Sequence, residues 1–331
     1  MHTQSKFVII LFVLIYFSFN LVSVAQAEDD PPLWSDKCEY VEILSTLDGT
    51  VQPAYFLRAK SATPRPLIVS LHSWSAGYDQ KDSLSWICID KNYNYIHPHF
   101  RGSNNNPEAC GSKFVIGDIN DAITFALINA RVDTSQIHII GGSGGGYATL
   151  LAYMKTYHSV KTFSAWVPIS DLIKWYHESE SRRNRYTLDI ARATVDWLEI
   201  SEDSYFLGEE EAIKRSPYYM ETPTDRRKNS KLTIYAGIHD GYRGSVPITQ
   251  SLLFYNKVVS DFDGLKTDSY VTKDDIIELL ASRTYQRENK GKIGTRTIHY
   301  ENAYEDKVKI VIFEGQHEIL FKVALDHVDS K

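Results

Sequence analysis

Cysteine is scarce in this chain. Only Cys38, Cys88 and Cys110 occur among 331 residues. No Cys-x-x-Cys or His-Glu-x-x-His spacing is present, so the patterns typical of zinc sites are missing. The sequence therefore predicts no metal site.

An excess of positive charge is also missing. The chain has 36 Lys and Arg against 42 Asp and Glu, with a formal net charge of −6. This balance argues against nucleic acid as a partner. We find no internal repeat, low-complexity tract or linker. The sequence therefore predicts a single domain over residues 28–331, with insertions at about 170–230 and 261–306.

The N-terminus has the pattern of a secretory signal peptide. Lys6 precedes an apolar run from Phe7 to Val24, and Ala25-Gln26-Ala27 leads into an acidic segment. We predict cleavage after Ala27, a secreted or periplasmic protein, and no stable membrane association afterwards. An uncleaved anchor is the alternative, because the run is nearly as long as a membrane span.

Export would also permit disulfide bonds. Cys88 ends a predicted helix and Cys110 lies in the next long loop, so this pair is the expected disulfide. Three inert buried thiols are the alternative. An odd number of cysteines leaves at least one of them without an intramolecular partner.

Short apolar runs alternate with amphipathic segments along the chain. Asp48-Gly49 separates two runs, 40–47 and 51–57, as in a hairpin. The remaining predicted strands are 67–72, 93–98, 136–142, 163–168, 232–237 and 308–313, and the main predicted helices are 116–130, 144–157, 246–258 and 318–328. This alternation predicts an α/β fold with a mostly parallel central sheet and helices on both faces. The insertion at about 170–230 is the predicted small cap.

The strongest local motif is Gly141-Gly142-Ser143-Gly144-Gly145, between a predicted strand and a predicted helix. It matches the Gly-x-Ser-x-Gly nucleophile elbow, whose sharp turn needs small neighbours around a strained serine. A glycine-rich turn without chemistry is the alternative. A dinucleotide-binding loop is excluded because Tyr147 replaces the last glycine of that pattern.

A serine becomes a useful nucleophile when a histidine takes its proton and an acid orients the histidine. In α/β-hydrolases the order along the chain is serine, acid, histidine, each after a strand. Asp240 follows the strand at 232–237, and His317 follows the strand at 308–313. We therefore predict Ser143, Asp240 and His317 as the catalytic triad.

The oxyanion hole requires two backbone amides aimed at the developing negative charge. One is expected from Gly144, directly after the nucleophile. The other is expected from Ser73 or Trp74, in the loop after the strand at 67–72. Trp74 is also a candidate for the wall of the pocket.

The chain resembles the prolyl oligopeptidase family of α/β-hydrolases. The elements that carry the resemblance occur in family order from about Pro66 to Phe321: Leu71-His72, Phe100-Arg101-Gly102-Ser103, Gly117-Asp118 to Asp121, Gly141 to Gly146, Ser216-Pro217, Gly237 to Asp240 with Val246-Pro247, and Gly315-Gln316-His317-Glu318. The resemblance implies hydrolysis through an acyl-enzyme on Ser143, without a cofactor. Arg101 is expected to form a structural ion pair with Asp118 or Asp121.

The sequence departs from the family in ways that bear on substrate. About 300 mature residues leave no room for the family's propeller, Gly144 replaces a bulky aromatic residue, and no glutamate pair for a peptide amino terminus can be placed. These departures slightly favour esters over peptides, as in bacterial esterases of plant polysaccharides. The predicted partner is a small-molecule, oligosaccharide or peptide substrate. A non-catalytic binding protein on the same fold is the alternative of another class.

Overall fold

The computed structural model describes residues 34–199, 201, 203–264, 268–285 and 291–328. The predicted signal peptide at 1–27 lies outside the described residues. Within them, no helix has both the length and the apolar composition needed to cross a bilayer.

The core of the structure is one ten-stranded sheet in the order β1-β2-β4-β3-β5-β6-β7-β10-β9-β8. Six neighbouring strands, from β4 to β10, run parallel, and the strands at both ends pair antiparallel. The strands are β1 Glu39–Leu44, β2 Val51–Leu57, β3 Arg65–Leu71, β4 Asn94–Pro98, β5 Val132–Gly142, β6 Thr162–Trp166, β7 Lys231–Gly237, β8 Lys292–Ile293, β9 Arg296–Tyr304 and β10 Val308–Phe313. The predicted hairpin and the predicted parallel strands are confirmed.

Helices flank this sheet. Buried residues of α2, α3 and α8 join the larger apolar cluster, whereas buried residues of α1 and α10 join a smaller cluster that also contains Ile68, Ile140 and Phe313. The helices are α1 Ser83–Lys91, α2 Lys113–Asn129, α3 Gly144–Lys155, α4 Leu172–Ser181, α5 Tyr186–Thr194, α6 Glu209–Arg215, α7 Thr224–Arg227, α8 Thr249–Asp263, α9 Lys273–Ser282 and α10 Phe321–Ala324. The α/β class with helices on both faces is therefore confirmed.

Two regions differ from the predicted elements. Part of the segment 261–306 is β9, which pairs antiparallel with β10 and so extends the central sheet. The predicted helix at 318–328 is reduced to α10 and a 3₁₀ turn at Asp326–Val328. Glu318 lies before that helix, where its carboxylate accepts the Gln316 amide (3.2 Å) and pairs with Arg296 (3.0 Å). These contacts hold the segment in an irregular conformation.

The predicted Cys88–Cys110 disulfide is wrong in this structure, where all three cysteines are buried free thiols. Cys88 lies in the smaller apolar cluster and Cys110 in the larger one. Burial raises the pKa of both thiols. The loop that carries Cys110 therefore packs in a different cluster from the helix that carries Cys88. The spacing of the two residues along the chain could not indicate this.

Candidate active site

Ser143 stands at the turn between β5 and α3. Its backbone has φ 57° and ψ −119°, a region that only glycine adopts without strain. The Ser143 amide donates to the carbonyl of Trp166 at the end of β6 (2.9 Å), which holds the turn against the sheet. A Cβ on Gly145 would lie 2.1 Å from the Leu71 carbonyl oxygen, so no larger residue fits there. The motif therefore forms the sharp elbow that was predicted.

His317 connects the serine to an acid. Its Nε2 lies 2.7 Å from the Ser143 hydroxyl oxygen, and its Nδ1 lies 2.7 Å from Asp240 Oδ2. His317 comes from the loop after β10 and Asp240 from the loop after β7, so both meet Ser143 at the carboxyl edge of the parallel strands. The three residues form the hydrogen-bonded order that proton transfer from the serine requires.

The second oxygen of Asp240 is also occupied. Oδ1 accepts the backbone amides of Gly241 (2.9 Å) and Val246 (3.1 Å). The side chain is 1% exposed. The two amides fix the carboxylate, and Oδ2 is left pointing at the imidazole. An acid held in this way keeps the proton on Nδ1, which leaves Nε2 free to accept the hydroxyl proton.

Two backbone amides lie beside the serine. A Cβ on Gly144 would lie only 2.3 Å from the Trp74 amide nitrogen, so the Gly144 and Trp74 backbones are in close contact. Gly144 is the first residue of α3, where amides have no partner within the helix. The Ser73 amide instead donates to Gln80 Oε1 (2.7 Å). Of the two predicted candidates in this loop, the geometry favours Trp74 over Ser73 as an oxyanion donor.

The indole of Trp74 packs beneath the first insertion. It lies edge-on to Trp175 with ring centroids 4.7 Å apart, and its Nε1 donates to Asp189 Oδ2 (3.1 Å). Trp74 is 2% exposed. Burial raises the pKa of the Asp189 carboxyl, whereas the bond from Trp74 lowers it. The insertion formed by α4 and α5 is thus anchored directly on the residue that supplies the second amide.

The loops that carry the acid and the base are joined beside the triad. The His239 amide donates to the Gly315 carbonyl (3.0 Å), and Nε2 of His239 and of His299 lie 3.1 and 2.8 Å from the two oxygens of Glu314. Hydrogen bonding to His299 lowers the pKa of the Glu314 carboxyl. We did not predict this group from sequence, because it depends on β9 lying beside β10. The position of His239 next to Asp240 was the one available signal.

Arg101 lies outside the triad and makes ion pairs in the body of the fold. Its guanidinium contacts Asp118 (2.6 Å) and Asp48 (2.7 Å), while Asp121 accepts from Thr46. The predicted ion pair with Asp118 is therefore present. In the described part of the chain, no group of three or more His, Cys, Asp and Glu side chains is arranged to hold a metal ion.

Comparison with known proteins identifies one protein family. The model of the prolyl oligopeptidase family matches residues 81–268, more than half of the chain. No curated protein sequence matches significantly.

Solved structures match the fold at low identity. The acylaminoacyl peptidase of Pyrococcus horikoshii has a TM-score of 0.53 at 18% identity, over 68% of this chain and 35% of that one. Oligopeptidase B of Leishmania major has a TM-score of 0.56 at 14% identity, over 88% and 36%. A puromycin hydrolase has a TM-score of 0.53 at 13% identity, over 90% and 38%. The matched region is thus just over a third of each of these proteins.

The family match supports a hydrolase of the serine peptidase type, and the solved structures support the fold. The family match includes Ser143 and Asp240 and ends before His317, which the structure places between them. The chain belongs to the prolyl oligopeptidase family of α/β-hydrolases.

Proposed function

We propose that the chain is an exported serine hydrolase that cleaves a peptide or carboxylic ester bond through an acyl-enzyme on Ser143. The observation that carries the proposal is the pair of 2.7 Å contacts that join Ser143, His317 and Asp240. An isolated serine on a glycine-rich turn would need neither contact. Both are required for a histidine to act as a general base.

The reaction follows from these positions. His317 Nε2 takes the hydroxyl proton as the Ser143 oxygen attacks the substrate carbonyl, and the Trp74 and Gly144 amides stabilise the resulting oxyanion. The imidazolium then gives its proton to the leaving amine or alcohol, and the acyl group stays on the serine. Water, deprotonated by the same nitrogen, attacks the acyl-enzyme and releases the acid. Asp240 stabilises the imidazolium in both halves of the reaction.

Labelling with a neutral fluorophosphonate tests the nucleophile. We expect covalent modification of Ser143 in the wild type and none in Ser143→Ala. Ser135→Ala is the matched control, because Ser135 lies on the same strand toward its opposite end. Removing Ser143 or His317 should lower kcat by roughly 10⁵- to 10⁶-fold. Equal labelling of the wild type and Ser143→Ala would refute Ser143 as the nucleophile, and absence of labelling in the wild type would favour a binding protein on the same fold.

The choice between peptides and esters is a question about the leaving group. The similar structures are described as peptidases and a puromycin hydrolase, which supports amide bonds. A p-nitroanilide and a p-nitrophenyl ester with the same acyl group separate the two classes. Turnover of both supports a peptidase, while ester cleavage alone supports an esterase. Acetylated xylan tests the oligosaccharide substrate directly.

Export remains a proposal based on the N-terminal sequence. Expression of the full chain followed by N-terminal sequencing of the secreted or periplasmic fraction should give Glu28 as the first residue. Retention of Met1 in a membrane fraction would instead support the anchor.

A further inference from the structure

The turn between α4 and α5 carries three arginines, Arg182, Arg183 and Arg185. Arg185 donates to the hydroxyl of Ser75, the residue after Trp74. Arg182 Nη1 lies 3.4 Å from the carbonyl oxygens of Gly244 and Ser245. One end of the turn therefore contacts the loop of the oxyanion amide, and the other end contacts the loop that follows Asp240. We call these three residues the arginine turn.

The loop beneath Arg182 is in direct contact with the triad. A Cβ on Gly244 would lie 2.2 Å from Asp240 Oδ1 and 2.9 Å from His317 Cβ. Arg243, directly before it, is exposed. A fourth guanidinium thus belongs to the same loop as the catalytic acid.

In the described ranges, no carboxylate forms an ion pair within 4.0 Å of Arg182, Arg183, Arg185 or Arg243. Glu178, Glu180 and Asp189 are the acids nearby in sequence, and burial raises the pKa of the Glu178 and Asp189 carboxyls against the influence of Arg182 and Arg185. The chain as a whole carries a net charge of −6. Residues 178–189 hold three arginines and three acids, so the feature that distinguishes the turn is the lack of an ion pair between these arginines and the described carboxylates.

The backbone of the turn ends α4 in the left-handed region. Arg183 has φ 52°, in the left-handed region, and its backbone amide donates a hydrogen bond to the Glu180 carbonyl oxygen (2.9 Å) at the end of α4. Glycine is the usual residue at such a position because it adopts this conformation without strain. Asn92 and Arg283 end α1 and α9 in the same conformation, so the backbone of Arg183 marks the end of a helix, and its side chain is left exposed.

We propose that the arginine turn and Arg243 select substrates that carry a carboxylate close to the scissile bond, as acidic peptides do. The proposal rests on the proposed hydrolase function. Guanidinium groups bind carboxylates through paired hydrogen bonds, which gives both orientation and attraction. Because the turn contacts both flanking loops, a carboxylate placed there would hold the scissile carbonyl over Ser143.

The test compares two fluorophosphonate probes that differ only in a terminal carboxylate or its carboxamide. We expect the carboxylate probe to label the wild-type protein about tenfold faster at low salt, the size expected for a few exposed charge pairs. The ratio should fall toward one in 0.5 M NaCl because salt screens exposed charges. Glu and Gln p-nitroanilide pairs, with the acid placed next to the scissile bond, should show the same preference in kcat/KM.

Substitutions assign the preference to the turn. Arg183→Gln with Arg185→Gln should bring the ratio of the two labelling rates close to one, and Arg183→Glu should lower the ratio further. Arg131→Gln is the matched control, because Arg131 is exposed just before β5, at the end of that strand opposite to Ser143. It should keep the wild-type ratio. Thermal unfolding shows that each variant is folded.

The outcomes separate this inference from the function on which it rests. Equal labelling by the two probes, or a carboxylate preference that survives in the double variant, would overturn the inference while leaving the nucleophile assignment intact. Absence of labelling by both probes would overturn the proposed function, and the inference with it.

Discussion

An asparagine at position 240 is expected to stop turnover while leaving the fold intact. Asp240 Oδ1 accepts two backbone amides, from Gly241 and Val246, and Oδ2 faces His317 Nδ1. In Asp240→Asn, the amide oxygen must replace Oδ1, because an NH₂ group there would face two N–H donors. The NH₂ group is then directed at His317.

This orientation forces the wrong tautomer on the histidine. Nδ1 must accept a hydrogen bond, so Nε2 carries the proton and cannot take one from Ser143. The corresponding change in a serine protease lowers kcat about 10⁴-fold, which is equivalent to about 5 kcal/mol in the activation free energy. The two backbone amides keep an acceptor, so we expect the free energy of unfolding to change by only about 1 kcal/mol.

Two measurements check the prediction, the kcat on a p-nitrophenyl ester and the urea unfolding curve. Asp133→Asn is a suitable control, because Asp133 accepts from Ser135, near the end of β5 opposite to Ser143. Turnover by Asp240→Asn within tenfold of the wild type would mean that another residue orients the histidine. A large loss of stability would mean that the carboxylate is structural, and the tautomer argument would then fail.

Three further predictions concern the surroundings of the triad. Gly144→Ala should lower kcat by roughly 10²- to 10³-fold, since the new Cβ would displace the Trp74 amide; an unchanged kcat would exclude that amide from the oxyanion hole. Arg101→Met should cost about 3–5 kcal/mol in urea unfolding, because Asp118 would stay buried without its partner, and adding Asp118→Asn should recover part of that loss. Burial lowers the pKa of His72 and of His138 to about 3, and that of His327 to about 4. As the pH falls, the unfolded chain protonates these histidines before the folded chain does. The free energy of unfolding should therefore fall between about pH 6.5 and 4, with these three groups contributing at most about 4 kcal/mol per pH unit. A free energy of unfolding that is flat between pH 6.5 and 5 would contradict the cause given for these shifts.

The strands and the nucleophile turn were predictable because each is encoded locally. The apolar run at 67–72 and the glycines around Ser143 carry their structural meaning within a few residues. Asp240 and His317 were found because the fold requires an acid and a histidine after particular strands. Local pattern and strand order together were therefore sufficient for the geometry of the triad.

What the sequence did not reveal depends on contacts between distant segments. The side chain of Gln80, which accepts the Ser73 amide, and the approach of Gly144 to the Trp74 amide distinguish Ser73 from Trp74. The irregular segment before α10 depends on Arg296, which lies on β9. Likewise, the position of the arginine turn beside the triad loops depends on its contacts with Ser75 and Gly244. Periodicity along the chain contains no information about such pairs.

The backbone of Ser143 has a consequence for evolution and design. Its φ of 57° and ψ of −119° cost about 1–3 kcal/mol in a residue with a side chain, more than the roughly 0.5–1 kcal/mol of extra chain entropy that glycine loses on folding. Ser143→Gly should therefore melt at a higher temperature than Ser143→Ala, which retains the strained backbone. Selection for thermal resistance alone would tend to discard the very hydroxyl on which turnover depends.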